Sequence, residues 1–178
     1  MNYLIKKTNE LSNPEIEYIL KLWDISEWMT MNTSDFRFSF RNSEFHFLVN
    51  QRDEILALSR LNFDFTLDIS GKQYIFAEIV GLVSAQEKKG YGSILVKFLK
   101  ENTEQRNLEV IGFCLKELRP FYQQCDVEIL KNKAKNIMEN NGTVCNSSED
   151  DDILIFHLSD ERKELLKSLG PENNAYFN

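Results

Sequence analysis

A chain of 178 residues with 42% hydrophobic side chains is long enough to bury a core without disulfide or metal staples. Its 28 acidic against 21 basic residues leave a formal charge of −7, which disfavours a nucleic-acid partner, since phosphate backbones call for clustered Lys and Arg. No apolar run nears the roughly 20 residues of a membrane span, and "MNYLIKKTNELSNPE" has no apolar signal core, so a cytoplasmic protein without a membrane partner is expected.

Along the chain, "YLIKK" (3–7) reads as a short first strand. Asn13-Pro14-Glu15 reads as a helix start, with Asn as cap, Pro in the first turn and Glu facing the positive helix end. Ile16, Ile19, Leu20 and Trp23 follow at helical spacing. Trp28 to Arg41 is aromatic-rich without a period and reads as loop with short helical turns. "EFHFLVN" and "EILALSRLNFDFTL" alternate as strands, and "DISGKQ" is a turn that sets "YIFAEIVGLV" antiparallel to the strand before it.

After a glycine turn, Tyr91, Ile94, Leu95, Phe98 and Leu99 form one helix face. "LEVIGFCL" is apolar throughout, as in a strand covered on both faces. "KELRPFYQQC" holds a short helix near Pro120. "ILKNKAKNIMENNG" places Ile129, Leu130, Ala134, Ile137 and Met138 at helical spacing, with Asn141-Gly142 as the stop. "NSSEDDD" reads as an acidic loop, "ILIFHL" as the last strand, and 171–178, "PENNAYFN", as a frayed tail. The expected organisation is one domain over 1–170, an α+β fold with a mixed, mostly antiparallel central sheet flanked by helices. Cys114, Cys125 and Cys145 are odd in number and fit no zinc spacing, so reduced thiols and no bound metal are expected.

The most informative stretch is "AEIVGLVSAQEKKGYGSILVKFLKE" (77–101), where a strand turns through Gly90 and Gly92 into a helix. Such a turn leaves the first helical N–H groups unpaired, ready for an anion, and glycine lets that anion approach the backbone. Lys88 and Lys89 add charge at the same place. No G-K-[ST] follows, so it is not a Walker loop, and a third glycine for the dinucleotide fingerprint is missing.

The order of this strand, the Gly90-Tyr91-Gly92 turn, the helix, the strand "LEVIGFC" and the aromatic pair Phe121-Tyr122 resembles the GCN5-related N-acetyltransferases over residues 45–125. Glu87 stands where that family's motif has Arg or Gln, and Cys125-Asp126-Val127 replaces a usual Gly-Phe. The resemblance implies acetyl-CoA as cosubstrate, its diphosphate held by main-chain N–H groups of Lys88, Lys89, Gly90, Tyr91 and Gly92. It also implies pantetheine pairing with Leu82, Val83 and Ser84, and Tyr122 as proton donor to the leaving thiolate. Glu78, which interrupts the apolar strand four residues before Leu82, is the candidate general base for an amine that is mostly protonated at neutral pH. His157, His46 and Cys125 are weaker candidates, read as packed residues, and Trp23 and Trp28 as core or cleft wall.

The acceptor implied is a primary amine on a small molecule, with a homodimer left open. A weaker resemblance, to aminoglycoside 2'-N-acetyltransferases, rests on Glu78, on Arg119-Pro120-Phe121-Tyr122 and on the Asp-rich run before the last strand, and marks Asp151 and Asp152 as substrate-binding. Two other readings stand beside it: a non-catalytic acyl-CoA-binding regulatory domain, and a protein or peptide N-acetyltransferase.

Overall fold

Ser12, not Asn13, begins the first helix. Its hydroxyl accepts the Glu15 N–H while the Glu15 carboxylate takes the Ser12 N–H at 2.9 Å. This reciprocal box needs a hydroxyl three residues ahead of a Glu, and Ser12, not Asn13, stands three residues ahead of Glu15. The computed structural model describes residues 1–139 and 151–177. Its helices are α1 (Asn13–Trp23), α2 (Thr33–Ser39), α3 (Tyr91–Gln105), α4 (Arg119–Gln124) and α5 (Asp160–Lys167). Its strands are β1 (Asn2–Lys7), β2 (Ser43–Val49), β3 (Ile55–Ile69), β4 (Lys72–Ser84), β5 (Val110–Cys114), β6 (Glu128–Leu130), β7 (Ile137–Glu139), β8 (Asp152–His157) and β9 (Ala175–Phe177).

The strand order is β1-β2-β3-β4-β5-β8-β6, with β9 paired to β3 and β7. β1–β2, β2–β3, β3–β9, β5–β8 and β6–β8 are antiparallel, whereas β4–β5 and β7–β9 are parallel. The sheet is therefore mixed and mostly antiparallel, as the strand patterns imply. The chain forms two compact units, Met1–Phe63 with Val80–Phe98, and Asp64–Ile79 with Leu99–Asn178.

In the first unit, the apolar stripe of α1 (Ile16, Ile19, Leu20) packs with Phe45, Phe47 and Val49 of β2 and with Leu58. These β2 residues are two apart, so all three lie on one sheet face. α2 adds Phe36 and Phe40, stacked edge to face with ring centroids 4.7 Å apart. This helix is capped by Asn32, whose side chain accepts the N–H groups of Ser34 and Asp35 at 2.9 Å. It lies in the segment read as loop with short helical turns, and is one of those turns. Seven residues make fewer than two turns, too few to display a period. On the other face of β2, the Tyr3 hydroxyl and His46 Nδ1 share a hydrogen bond at 2.5 Å, and the Tyr3 ring stacks on Phe98 of α3 at 5.0 Å.

In the second unit, the sequence pattern misleads between 128 and 139. A helix was expected there, but Glu128–Leu130 pairs with β8 and Ile137–Glu139 runs parallel to β9. Asn132, with φ +58°, turns the chain left-handed in the middle of the stretch, a conformation no helix continues through. Ile129, Leu130 and Ile137 thus serve two short strands, and the spacing that mimics a helix is the gap between them. The Asn141-Gly142 stop lies outside the described residues, as does most of the acidic run.

"ILIFHL" is not the last element. α5 follows, capped by Ser159, and then β9. The tail is not frayed: Ala175 is fully buried, and β9 registers Leu67↔Phe177, Asp68↔Tyr176 and Ile69↔Ala175. The core of this unit gathers Leu67, Ile69, Phe76, Ile111, Ile153, Leu166 and Ala175, so α5 and the tail close it.

Candidate functional site

β4 is extended except at Gly81, where φ is +67°. A Cβ at this position would sit 2.6 Å from Nε1 of Trp23, so the residue must be glycine for two reasons, its left-handed φ and the ring against it. The same indole donates to the Gly81 carbonyl at 2.8 Å. Trp23 ends α1 and touches Phe36, Phe40 and Phe45; the aromatic cluster of the first unit thereby fixes a kink in β4. Sequence reasoning passed over Gly81. The signal was a lone glycine inside an apolar strand run, which marks a bulge or a close approach. The kink also interrupts strict alternation, so the sequence argument that places Glu78 and Leu82 on one face does not carry across it.

Beyond the kink the strand regains its pairing, since the Ala85 N–H donates to Leu56 O at 2.9 Å. Main-chain groups in an antiparallel pair alternate between the two edges. The Ala85 N–H is thus turned toward β3. The Val83 side chain packs against the first unit's core.

The turn follows. Lys88 has φ +57° and Gly90 φ +76°. The first helical hydrogen bond of α3 runs from Ile94 N–H to Gly90 O at 3.1 Å. The N–H groups of Tyr91, Gly92 and Ser93 therefore precede the ladder, at the positive end of a 15-residue helix. A Cβ on Gly90 would meet nothing within 4 Å, so the approach to these donors is open. Lys88 and Lys89 are exposed beside them, and Glu87, in the motif's first position, is exposed too. Three donors at a helix end, two ammonium groups and an open approach fit a diphosphate chemically.

The other sequence-predicted residues lie in the second unit. Glu78 is half-buried and registers with Ile111 of β5. Tyr122 is 7% exposed on α4, its ring 4.9 Å from Phe121. The main-chain carbonyl of Tyr122 accepts the N–H groups of Cys125 and Val127 at 3.0 and 3.1 Å, which anchors the short helix to the chain after it. His157 Nε2 lies 3.1 Å from Asn107 Oδ1, and Cys125 is 1% exposed, in keeping with packed rather than catalytic roles.

Asp151 and Asp152 are occupied. Asp152 is fully buried and holds Arg119 in a two-point pair, Nε at 2.5 Å and Nη2 at 2.7 Å, while its Oδ1 also accepts the Asn132 N–H at 2.8 Å. Burial opposes its ionisation, but the Arg119 and Asn132 hydrogen bonds outweigh it and hold the carboxyl below its usual range. Asp151 binds Lys135 at 2.5 Å and accepts the Lys116 N–H at 3.1 Å, which lowers its pKa too. These carboxylates, expected to meet a substrate, instead anchor the start of the helix that carries Tyr122.

Two comparisons returned nothing: neither a family model nor a curated protein matches this chain. Solved structures do match. An N-acetyltransferase from Staphylococcus aureus Mu50 superposes with a TM-score of 0.55 at 16% identity, covering 86% of this chain and 96% of that one. The fold is that of the GCN5-related N-acetyltransferases. Glucosamine-6-phosphate N-acetyltransferase from Arabidopsis thaliana matches with a TM-score of 0.52 at 15% identity, over 72% of this chain and 92% of that one. A conserved Enterococcus faecalis V583 protein, described as a probable N-acyltransferase, gives 0.52 at 14% identity over 75% of this chain. This chain spans 36% of that protein's length. Among the described residues no helix is long and apolar enough to cross a membrane, and no cluster of metal-ligating side chains is present.

Proposed function

We propose that the chain is an acetyl-CoA-dependent N-acetyltransferase that moves an acetyl group directly to a primary amine of a small molecule. The observation that carries this reading is the junction after β4, where the N–H donors of Tyr91, Gly92 and Ser93 stand ahead of the α3 ladder, which begins with Ile94 N–H to Gly90 O. Lys88, Lys89 and these donors hold the diphosphate, and Leu82 and Ser84 align the pantetheine amides. Acetyl-CoA supplies the activated acyl group.

The chain's own residues handle protons. Glu78 takes the proton that the ammonium form of the acceptor must lose, directly or through water. The free amine nitrogen then bonds to the acyl carbon as the carbon–sulfur bond breaks. Tyr122 gives its phenolic proton to the departing sulfur, and the acylated nitrogen loses its extra proton to the solvent, from which Tyr122 is reprotonated, so the products are an amide and free CoA thiol. In this reading Asp151 and Asp152 brace the helix that carries Tyr122, through Lys135, the Lys116 N–H, Arg119 and the Asn132 N–H. Cytoplasmic residence belongs to the same proposal.

The experiment is calorimetric titration of the purified protein with CoA, followed by acetyl-CoA turnover on a panel of amines, read as released thiol. Binding with thiol release supports the enzyme. Binding without release on any amine supports the acyl-CoA-binding reading, and no binding at all removes both.

A further inference from the structure

The first unit carries a cavity of about 450 Å³ at the far end of β1, lined by Lys7, Thr8, Arg37, Arg41, Glu44 and Phe63 among others. In a chain of net charge −7, three cations converge on it against one carboxylate. Glu44 is that carboxylate; it registers across from Lys7 and lies 3.9 Å from His46. Lys7, Arg37 and Arg41 form no ion pair with an Asp or Glu among the described residues.

The arginines are held in place by neutral acceptors instead. Arg37 Nη2 donates to Leu11 O at 2.8 Å and to Asn13 Oδ1 at 2.9 Å, and Nη1 donates to Thr33 O at 3.3 Å. Arg41 Nη1 donates to Phe38 O at 3.1 Å, with its guanidinium carbon 4.9 Å above the Phe38 ring. None of these contacts neutralises charge, so both guanidiniums keep their full attraction for an anion. Orienting them in the empty state also lowers the ordering cost of binding. The half-buried Phe63 ring gives the cavity one apolar wall, and its volume is in the range of small-molecule sites.

We propose that this cavity is a binding site for a small molecule carrying a phosphate or carboxylate group, its oxyanion bound by Lys7, Arg37 and Arg41 and its body packed on Phe63. The site shares no residue with the β4–α3 junction and does not depend on acetyl transfer.

The test is an amide-resolved NMR titration of the full chain with inorganic phosphate and, separately, with malonate, at ionic strength fixed with sodium chloride. The expected result is saturable shifts at Thr8, Asn9, Asn42 and Ser43 with at least one anion, and the tighter of the two names the head group. Arg41→Glu, at an exposed position, should weaken that affinity by roughly tenfold or more. Lys7→Gln should weaken it in the same direction while keeping the spectrum of the folded protein. Phosphate shifts at Tyr91 to Ser93 are read separately in the same spectra and should be unaffected by either variant. Shifts that grow without saturation for both anions, or an affinity unchanged in both variants, would overturn the proposal.

Discussion

Replacing Gly81 with Ala tests the account of the β4 kink. An L-residue held at φ +67° costs about 1–2 kcal/mol. Its methyl would stand 2.6 Å from Trp23 Nε1 and 2.9 Å from Cε2, and overpacking of this kind costs about 1–3 kcal/mol. Relief requires moving the indole, which stretches the 2.8 Å bond to the Gly81 carbonyl, worth about 1 kcal/mol. The indole can yield a few tenths of an ångström, so a net loss of about 3–4 kcal/mol is expected, or roughly 6–16 °C in melting temperature for a chain of this size.

Gly90 supplies the control. Its φ is +76°, yet a Cβ there meets nothing within 4 Å. Gly90→Ala should therefore lose only the backbone part, about 1–2 kcal/mol. Urea unfolding of both variants, followed by far-UV circular dichroism and indole fluorescence, reads the difference. In a Trp23→Leu background Gly81→Ala should become about as mild as Gly90→Ala, because the ring that made the conflict is gone. Equal losses for the two glycine variants in the native background would refute the argument that the Trp23 ring sets the kink.

Tyr122→Phe should lower thiol release by roughly two orders of magnitude or more, with CoA affinity by calorimetry little changed; undiminished turnover removes this phenol from the mechanism. Asp152→Asn leaves Arg119 facing a neutral amide, and thermal unfolding should show a loss of about 2–3 kcal/mol. Because the folded-state pKa of Asp152 lies below its unfolded value, its contribution is complete above the unfolded pKa, about 4, and disappears as pH falls through the lower, folded one. The gap in melting temperature between wild type and Asp152→Asn should therefore narrow as pH falls below about 4, and a gap that stays constant on acidification contradicts this linkage. Deleting residues 171–178 removes β9 and the fully buried Ala175, so the truncated chain should melt several degrees lower; an unchanged melting temperature would mean that the tail contributes nothing to the second unit's core.

What could be read from the chain divides by the range of the interactions that decide it. The long alternating runs of β3 and β4, the stripe on α3 and the glycine turn before it are local patterns, and each element lies where its residues point. The failures lie where a distant partner decides the outcome. Ile129 and Leu130 become a strand because Ile153 and Leu154 of β8 offer them an edge, and nothing within ten residues announces that. Asp151 and Asp152 resemble an acidic surface for a cationic ligand until Arg119, 33 residues from Asp152, takes up one of them.

The same division explains why the two halves of the candidate site differ in legibility. The anion-facing half is made by backbone groups whose exposure follows from where a helix starts, and two glycines in the sequence reveal that start. The kink just before it is made by a tertiary contact, Trp23 on Gly81 across 58 residues, and a single glycine in an apolar run is its one local trace. Glu78 illustrates the consequence: counting by twos from it to Leu82 is valid only on an unbroken strand, and the left-handed residue at 81 removes that validity. A role for Glu78 must therefore come from its own variant, with Glu78→Gln expected to steepen the dependence of turnover on rising pH as the free amine replaces the missing base.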